Sequence, residues 1–430
     1  MSEKQTDRLE ATHLPVTIAG IDFHNPFCVG SGPTVKTVDM IRKIDAAGWG
    51  AAFIKLTIDP EPYMTREPRY RWWKQHKLHT FTLEKRIKLD EALRICEESK
   101  KFISTTKIFS NITYDGEDGL DGWVRMAKAF ENAGADGNEL NMCCPNMSFN
   151  MELSGDEIDK CTGASMGRNP RMVAEVVRAV KAGSKIPLFV KITSEGGNIA
   201  LVARAAYDAG ADVVASVGDR LGMPPIADIE NPLQSPIRLQ KDQSITDLTG
   251  PWLKPLALRD VYEIRKLNGP ERAVCGYGGM SNWKDYVEMM LVGADLVGVC
   301  TETMIRGYDF LYKEIIKFKD YMIRHNYKHP REMRDLIVNN IKPAQAIEIQ
   351  EAVAFVEEQK CIGCELCLPI GHCYAIDMIK GKGWEEKNKK GIVAKVDPYQ
   401  CTGCSTCFDL CPTDCFIWKA VPEDRIIAPI

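Results

Sequence analysis

The feature that most constrains this chain is a recurrence. Short apolar runs each follow a helical pattern, and most of those patterns end in glycine. The helix ends read "AAGWG", "ENAGAD", "YDAGAD" and "LVGAD". Glycine at a helix C-terminus supplies the left-handed cap, so each one marks where a helix stops and a strand begins. The apolar runs are NPFCVGSG (25–32), GAAFIKLT (50–57), KIFSNIT (107–113), GNELNMC (137–143), PLFVKIT (187–193), DVVASVG (212–218), AVCGYGG (273–279) and LVGVCTE (296–302). Eight such βα units over about 300 residues predict a TIM (β/α)8 barrel, an α/β fold whose chemistry sits at the C-terminal ends of its strands. A doubly wound sheet is the alternative. No G-x-G-x-x-G follows a strand, however, so the chain is not expected to carry a nicotinamide-binding domain of its own.

At 430 residues the chain is long enough for one large domain and a small one. We expect an N-terminal tail (1–14), the barrel (15–340), a linker (341–358) and a small α+β domain of bacterial ferredoxin type (359–430). A formal charge of −4 gives no electrostatic case for nucleic acid or an anionic membrane. The opening MSEKQTDRLEATHLP lacks the apolar core of a signal peptide, and no apolar stretch reaches the ~18 residues of a membrane span. Without an export signal, sixteen cysteines point to cofactor ligation and a cytoplasmic setting rather than to disulfides.

Eight of those cysteines form two runs near the C-terminus. In CTGCSTCFDLCP, Cys401, Cys404 and Cys407 fall at three-residue steps, and Cys411 precedes Pro412. This is the bacterial ferredoxin spacing: three thiolates wrap one [4Fe–4S] cluster and the fourth reaches the other cluster. CIGCELCLPIGHC repeats it with Cys361, Cys364 and Cys367, but Cys373 follows after five residues and without a proline. The spacing assigns Cys361, Cys364, Cys367 and Cys411 to one cluster, and Cys373, Cys401, Cys404 and Cys407 to the other. Cys415 is left as a packed thiol. A zinc ribbon also uses C-x-x-C, but two triple-cysteine runs without paired histidines fit it poorly.

The barrel strands end in informative residues. Gly278 and Gly279 follow the seventh, and Cys300 and Thr301 the eighth, where many TIM barrels bind a phosphate through backbone N–H groups. Lys55 and Lys191 lie inside apolar strands near their C-terminal ends, where burying an ammonium is costly unless it faces a charged or electron-rich group.

These segments, with ELNMCCPN (139–146), resemble the flavin-binding barrel of dihydropyrimidine dehydrogenases and of class 1 dihydroorotate dehydrogenases. A barrel followed by a double-cluster segment is similar to the FMN and iron–sulfur subunit of the bacterial NAD-dependent enzymes. The resemblance implies FMN at the barrel mouth. Gly30, Ser31 and Lys55 would approach the flavin, with Asn141 beside it. Lys191 would stand near the N1/O2 edge, and Gly250, Gly278, Gly279, Cys300 and Thr301 would hold the phosphate. In the family motif N-x-x-C-P, the Asn binds substrate and the Cys moves a proton at the carbon next to the one exchanging hydride. Those places are Asn141 and Cys144 here, with Asn146 a further substrate contact. An unperturbed thiol, with a pKa of about 8.5, is a usable proton donor at neutral pH. A vicinal disulfide between Cys143 and Cys144, or metal ligation by the pair, is the alternative.

The match has gaps. Pyrimidine-binding members carry Asn-Thr at the end of strand six, where this chain has Val217 and Gly218, and the substrate Asn expected after strand two is not recognisable around "HTFTLEKRI". Arg69, Arg71 and Lys74 in "EPRYRWWKQHK" are candidate contacts for a different substrate, or simply a solvated rim. The expected function is an FMN and iron–sulfur oxidoreductase acting on a C=C bond of a cyclic or conjugated small molecule. Its partner would be an NAD(P)H-oxidising flavoprotein subunit or a ferredoxin, and the chain would assemble as an oligomer. The alternatives are an electron-transfer subunit of a larger complex and a reductase of a non-pyrimidine substrate.

Overall fold

The computed structural model describes residues 3–60, 66–82, 84–144, 163–216, 218–380, 383 and 390–425. Asn146, Val217 and most of the long loop after Cys144 lie outside them. The chain divides into two compact units, Met1–Ile341 and Lys342–Ile430.

The first unit is built on eight parallel strands: β1 (Phe27–Val29), β2 (Ala51–Phe53), β3 (Lys107–Phe109), β4 (Asn138–Met142), β5 (Leu188–Ile192), β6 (Val213–Ala215), β7 (Ala273–Tyr277) and β8 (Leu296–Val299). Neighbours pair in chain order, and β8 returns to pair with β1. A parallel bridge between Phe109 and Gly137 joins β3 to β4, so the sheet closes into the expected barrel. Each of the eight apolar runs contains one of these strands.

Two hydrophobic cores follow from the two-residue period of a strand. In β5, Leu188, Val190 and Ile192 belong to the core shared with the surrounding helices, and Phe189 to the barrel interior. In β2, Ala51 and Phe53 face inward, and in β7 Cys275 and Tyr277 do. The interior is filled by aromatic rings: Phe109 lies 4.5 Å from Phe53 and 4.7 Å from Phe189, centroid to centroid. The same alternation carried two residues onward puts Lys55 and Lys191 inside, at the C-terminal end of the barrel.

The segment expected as a tail is not free. It forms a helix, Glu3–Thr12, whose Leu9 and Thr12 are buried. Arg8 pairs with Asp309 at 2.5 Å, and Lys319 donates to the Ala11 carbonyl at 2.7 Å. Insertions after β2 and β6 build a small antiparallel sheet from Tyr70–Trp73, Leu78–Phe81, Arg220–Gly222 and Thr246–Thr249.

The second unit pairs Val353–Val356 with Phe416–Lys419 and Ile376–Lys380 with Ile392–Val396, both antiparallel. The first of these strands falls in the stretch expected as linker, because VAFV pairs with Phe416–Lys419. Cys361, Cys367, Cys401 and Cys407 of the two runs are buried in this unit's core. Among the described residues no helix is long and apolar enough to cross a membrane.

Candidate active site

A cavity of about 890 Å³, open to solvent, occupies the C-terminal mouth of the barrel. Gly30 and Ser31 enter from β1, Lys55 from β2, Asn141 and Cys144 from β4, and Lys191 from β5. Gly278 and Gly279 follow β7, Cys300 and Thr301 follow β8, and Gly250 comes from the inserted sheet. The flavin and catalytic candidates of the sequence all line this one cavity, except Asn146, which is outside the described residues. Arg69, Arg71 and Lys74 do not line it. Arg69 and Lys74 are exposed, and Arg71 donates to the Pro236 carbonyl while its guanidinium lies 4.1 Å from the Trp73 ring centroid. The solvated-rim alternative describes this stretch better.

Register places the central pair: Asn141 on β4 stands opposite Lys191 on β5. Asn141 Nδ2 donates to Asn111 Oδ1 at 3.0 Å, and Asn111 donates in turn to the fully buried carboxylate of Glu139. Burial raises the Glu139 pKa, opposed by Lys191 and by the Asn111 hydrogen bond. Burial likewise works against the Lys191 charge, but Glu139, with Cys143 and Asp219, outweighs it and holds the ammonium above the usual lysine range. The Lys191 Nζ also sits 4.3 Å from the Tyr277 ring centroid. Asn111, Glu139 and Tyr277 carry no motif. Glu139 had a signal all the same, because the cost argument that flags the two strand lysines applies equally to a Glu inside NELNM.

Lys55 is 4% exposed and forms an ion pair with Glu84 on the cavity wall. Burial, then the Arg86 guanidinium, pulls its pKa down to about 7, while the Glu84 pair favours the charged form.

The two adjacent thiols differ. Cys143 is buried and donates to Asn141 Oδ1 at 3.4 Å, and burial raises its pKa. Cys144 is half-buried, packed against Leu56 and Ile58 on the cavity wall. Hydrogen bonding from Cys143 and the positive charges of Arg86, Lys55 and Lys191 outweigh burial and lower the Cys144 pKa to about 5. The thiol expected near its ordinary pKa is therefore drawn to the thiolate. Asp219, also on the wall, is pushed up to about 7, first by burial and then by Cys144.

The comparisons with known proteins match this picture. The family described as dihydroorotate dehydrogenase matches residues 13–322, well over half of the chain. The chain belongs to the dihydroorotate dehydrogenase family. A second match, to the 4Fe-4S dicluster domain, covers residues 360–415. The NAD-dependent dihydropyrimidine dehydrogenase subunit PreA of Escherichia coli is 28% identical over 94% of each chain. The catalytic subunit of dihydroorotate dehydrogenase B (NAD(+)) from Thermoanaerobacter pseudethanolicus is 28% identical over 75% of this chain and 97% of its own. The fold is also that of a solved DHODH from Eimeria tenella, at a TM-score of 0.59 and 18% identity over 75% of this chain and 88% of the other. Family membership makes this chain an FMN and iron–sulfur oxidoreductase acting on CH–CH groups.

The residues present fit these groups. Outside ladders and helices, the N–H groups of Gly250, Gly278, Gly279, Cys300 and Thr301 donate to no backbone carbonyl among the described residues, a set of donors that would suit a phosphate. Gly279 has φ +73°, and a Cβ there would lie 2.6 Å from the Lys254 backbone nitrogen. A Cβ on Gly30 would meet the Tyr277 ring at 2.6 Å, so glycine keeps that wall open. In the second unit, Cys373, Cys401, Cys404 and Cys407 surround one cavity of about 300 Å³. Cys361, Cys364, Cys367 and Cys411 surround another of about 290 Å³, with Cys415 beside them. The two groupings are those that the spacing assigns, including Cys373 despite its longer loop.

Proposed function

We propose that this family member interconverts a CH–CH and a C=C bond in a dihydropyrimidine-like ring, with Cys144 as the proton carrier. The observation that carries this reading is the placement of one activated thiol, Cys144, on the same wall as the buried cations Lys55 and Lys191. When bound, FMN supplies the hydride chemistry. On dehydrogenation, the Cys144 thiolate takes the proton from the carbon next to the one losing hydride. On reduction, the same sulfur returns it. Asn141 and Asn146 orient the ring. Lys191 would set its positive charge beside a bound flavin, and Gly30, Ser31, Lys55 and Asn141 would line the ring. The N–H groups of Gly250, Gly278, Gly279, Cys300 and Thr301 hold the phosphate.

The eight cysteines at 361, 364, 367, 373, 401, 404, 407 and 411 would hold two [4Fe–4S] clusters, which would supply one-electron transfer. The similarity to a named subunit of an NAD-dependent enzyme supports a partner flavoprotein that oxidises NAD(P)H, with a ferredoxin as the other candidate and an oligomeric assembly. The test is an anaerobic screen of dihydropyrimidines against other saturated cyclic amides and ketones, scored by bleaching of the flavin. Rapid bleaching by a dihydropyrimidine supports the reading. No bleaching by any ring in fully loaded protein would make the chain an electron-transfer subunit instead.

A further inference from the structure

Asp219 stands beyond the end of β6 on the wall of the cavity, in the electrostatic company of Cys144 and Lys191. Its Oδ1 is buried and accepts no hydrogen bond among the described residues. Among the described residues, the cation next to it in the chain is turned to another carboxylate and a second carboxylate nearby offers no donor. Arg220, next in the chain, is bound to Asp260, and Glu195 accepts the Leu221 N–H at 2.9 Å. Nor can the backbone readily draw Asp219 away: a Cβ on Gly218 would come within 3.2 Å of the Gly278 Cα, so the ends of β6 and β7 are pressed together. Asp219 is half-buried, but a carboxylate oxygen held out of water without a donor is costly, and a bound molecule that brings the donor recovers that cost.

We propose that Asp219 selects the substrate by accepting hydrogen bonds from N–H groups on one edge of the ring, so that an edge carrying two adjacent donors is preferred over one carrying a carbonyl. This deepens the proposed function and rests on its assignment of the cavity to a ring substrate. A carboxylate offers acceptors only, whereas an amide side chain offers a donor and an acceptor. An amino group beside a ring N–H, the edge of an amidine or a guanidine, meets both carboxylate oxygens. A carbonyl in the same place sets acceptor against acceptor and leaves buried groups unpaired, which is how polar sites discriminate most strongly.

The test uses the full chain loaded with FMN and both clusters, at pH 8, where the Asp219 carboxylate predominates. Two rings of the same size are the probes: 2-aminopyrimidin-4-one, with a donor–donor edge, and uracil, with a carbonyl on that edge. Binding is read by calorimetry and by flavin difference spectra. The native protein should bind the amino ring at least about tenfold more tightly. Asp219→Asn, which adds a donor, should abolish or reverse the preference, and Asp219→Ser should bring the ratio close to one. Equal binding by the native protein, an unchanged ratio in both variants, or no binding of either ring overturns the proposal. So does a variant whose ligand-free flavin spectrum shifts while the ratio stays, since Asp219 would then serve the flavin. If the preference appears but no ring bleaches the flavin, the reaction assignment falls and this one stands.

Discussion

Asn141 and Lys191 are register partners on adjacent parallel strands and line the same wall of the barrel mouth. Through Asn111 the amide connects to the buried Glu139, whose carboxylate keeps the Lys191 charge in place. Amide, carboxylate and ammonium therefore act as one polar unit beneath the cavity, and the first prediction tests it.

Replacing Lys191 with Met should cost about 3–5 kcal/mol, because it strands the Glu139 carboxylate in the interior. Burial already raises the Glu139 pKa, and loss of the cation raises it further. A carboxyl whose folded pKa lies above its unfolded value is stabilising at low pH and loses that contribution as pH rises. Thermal unfolding should therefore show a larger deficit for Lys191→Met at pH 8 than at pH 5, and adding Glu139→Gln should restore much of it.

Cys144→Ala should lower turnover by about 10²- to 10⁴-fold, the usual contribution of a positioned acid or base. Visible spectra of flavin and clusters should be unchanged. Cys143→Ala should lose less, since Cys143 acts on the reacting sulfur only through its hydrogen bond to Cys144. Equal losses in the two variants would count against Cys144 as the proton carrier.

The dehydrogenation rate should rise with pH on an acidic limb, because the thiolate is the base and its pKa is lowered to about 5. Lys55 is one of the cations that lower it, so Lys55→Met should move this limb to higher pH. A pH–rate profile of both proteins under single-turnover conditions reads the shift. A limb that stays in place would remove Lys55 from the activation of the thiol.

Gly279→Ala should deplete FMN. A Cβ in the left-handed region costs about 1–2 kcal/mol, and here it would also press on the Lys254 backbone. The flavin-to-protein ratio after purification reports the effect. Gly307→Ala, where a Cβ meets nothing within 4 Å, carries the backbone cost without the collision and should keep its flavin.

Cys373→Ala and Cys411→Ala should each remove one cluster, leaving about half of the iron and the electron-spin signal of the other. Cys415→Ala should leave the iron content unchanged. Its sulfur lies 3.4 Å from that of Cys411 but is not needed for the four-thiolate set.

The barrel was legible because its two signals are local. Glycines such as Gly134 and Gly210 mark where helices end, and apolar runs mark the strands between them. The site was legible wherever chemistry conflicts with its surroundings, as for Lys55 and Lys191 in apolar strands, or wherever spacing is rigid, as for the ferredoxin cysteines. What stayed hidden depends on distant packing. Nothing in "SNIT" says that Asn111 bridges Asn141 to Glu139. Nothing in "LEKRI" says that Glu84 pairs with Lys55 or that Arg86 acts on Cys144. The strand Val353–Val356 was equally unreadable as a strand, because its partner lies at the far end of the unit, Phe416–Lys419.

Because successive side chains of β5 serve opposite cores, Lys191 and Ile192 are separated in role by a single step of the chain. A one-residue insertion between Leu188 and Val190 would turn the ammonium outward among the helices and put Val190 in its place at the cavity. Length in these strands is thus policed far more strictly than identity. Evolutionary tinkering, or a protein engineer, has latitude in the connecting loops that the staves themselves do not allow.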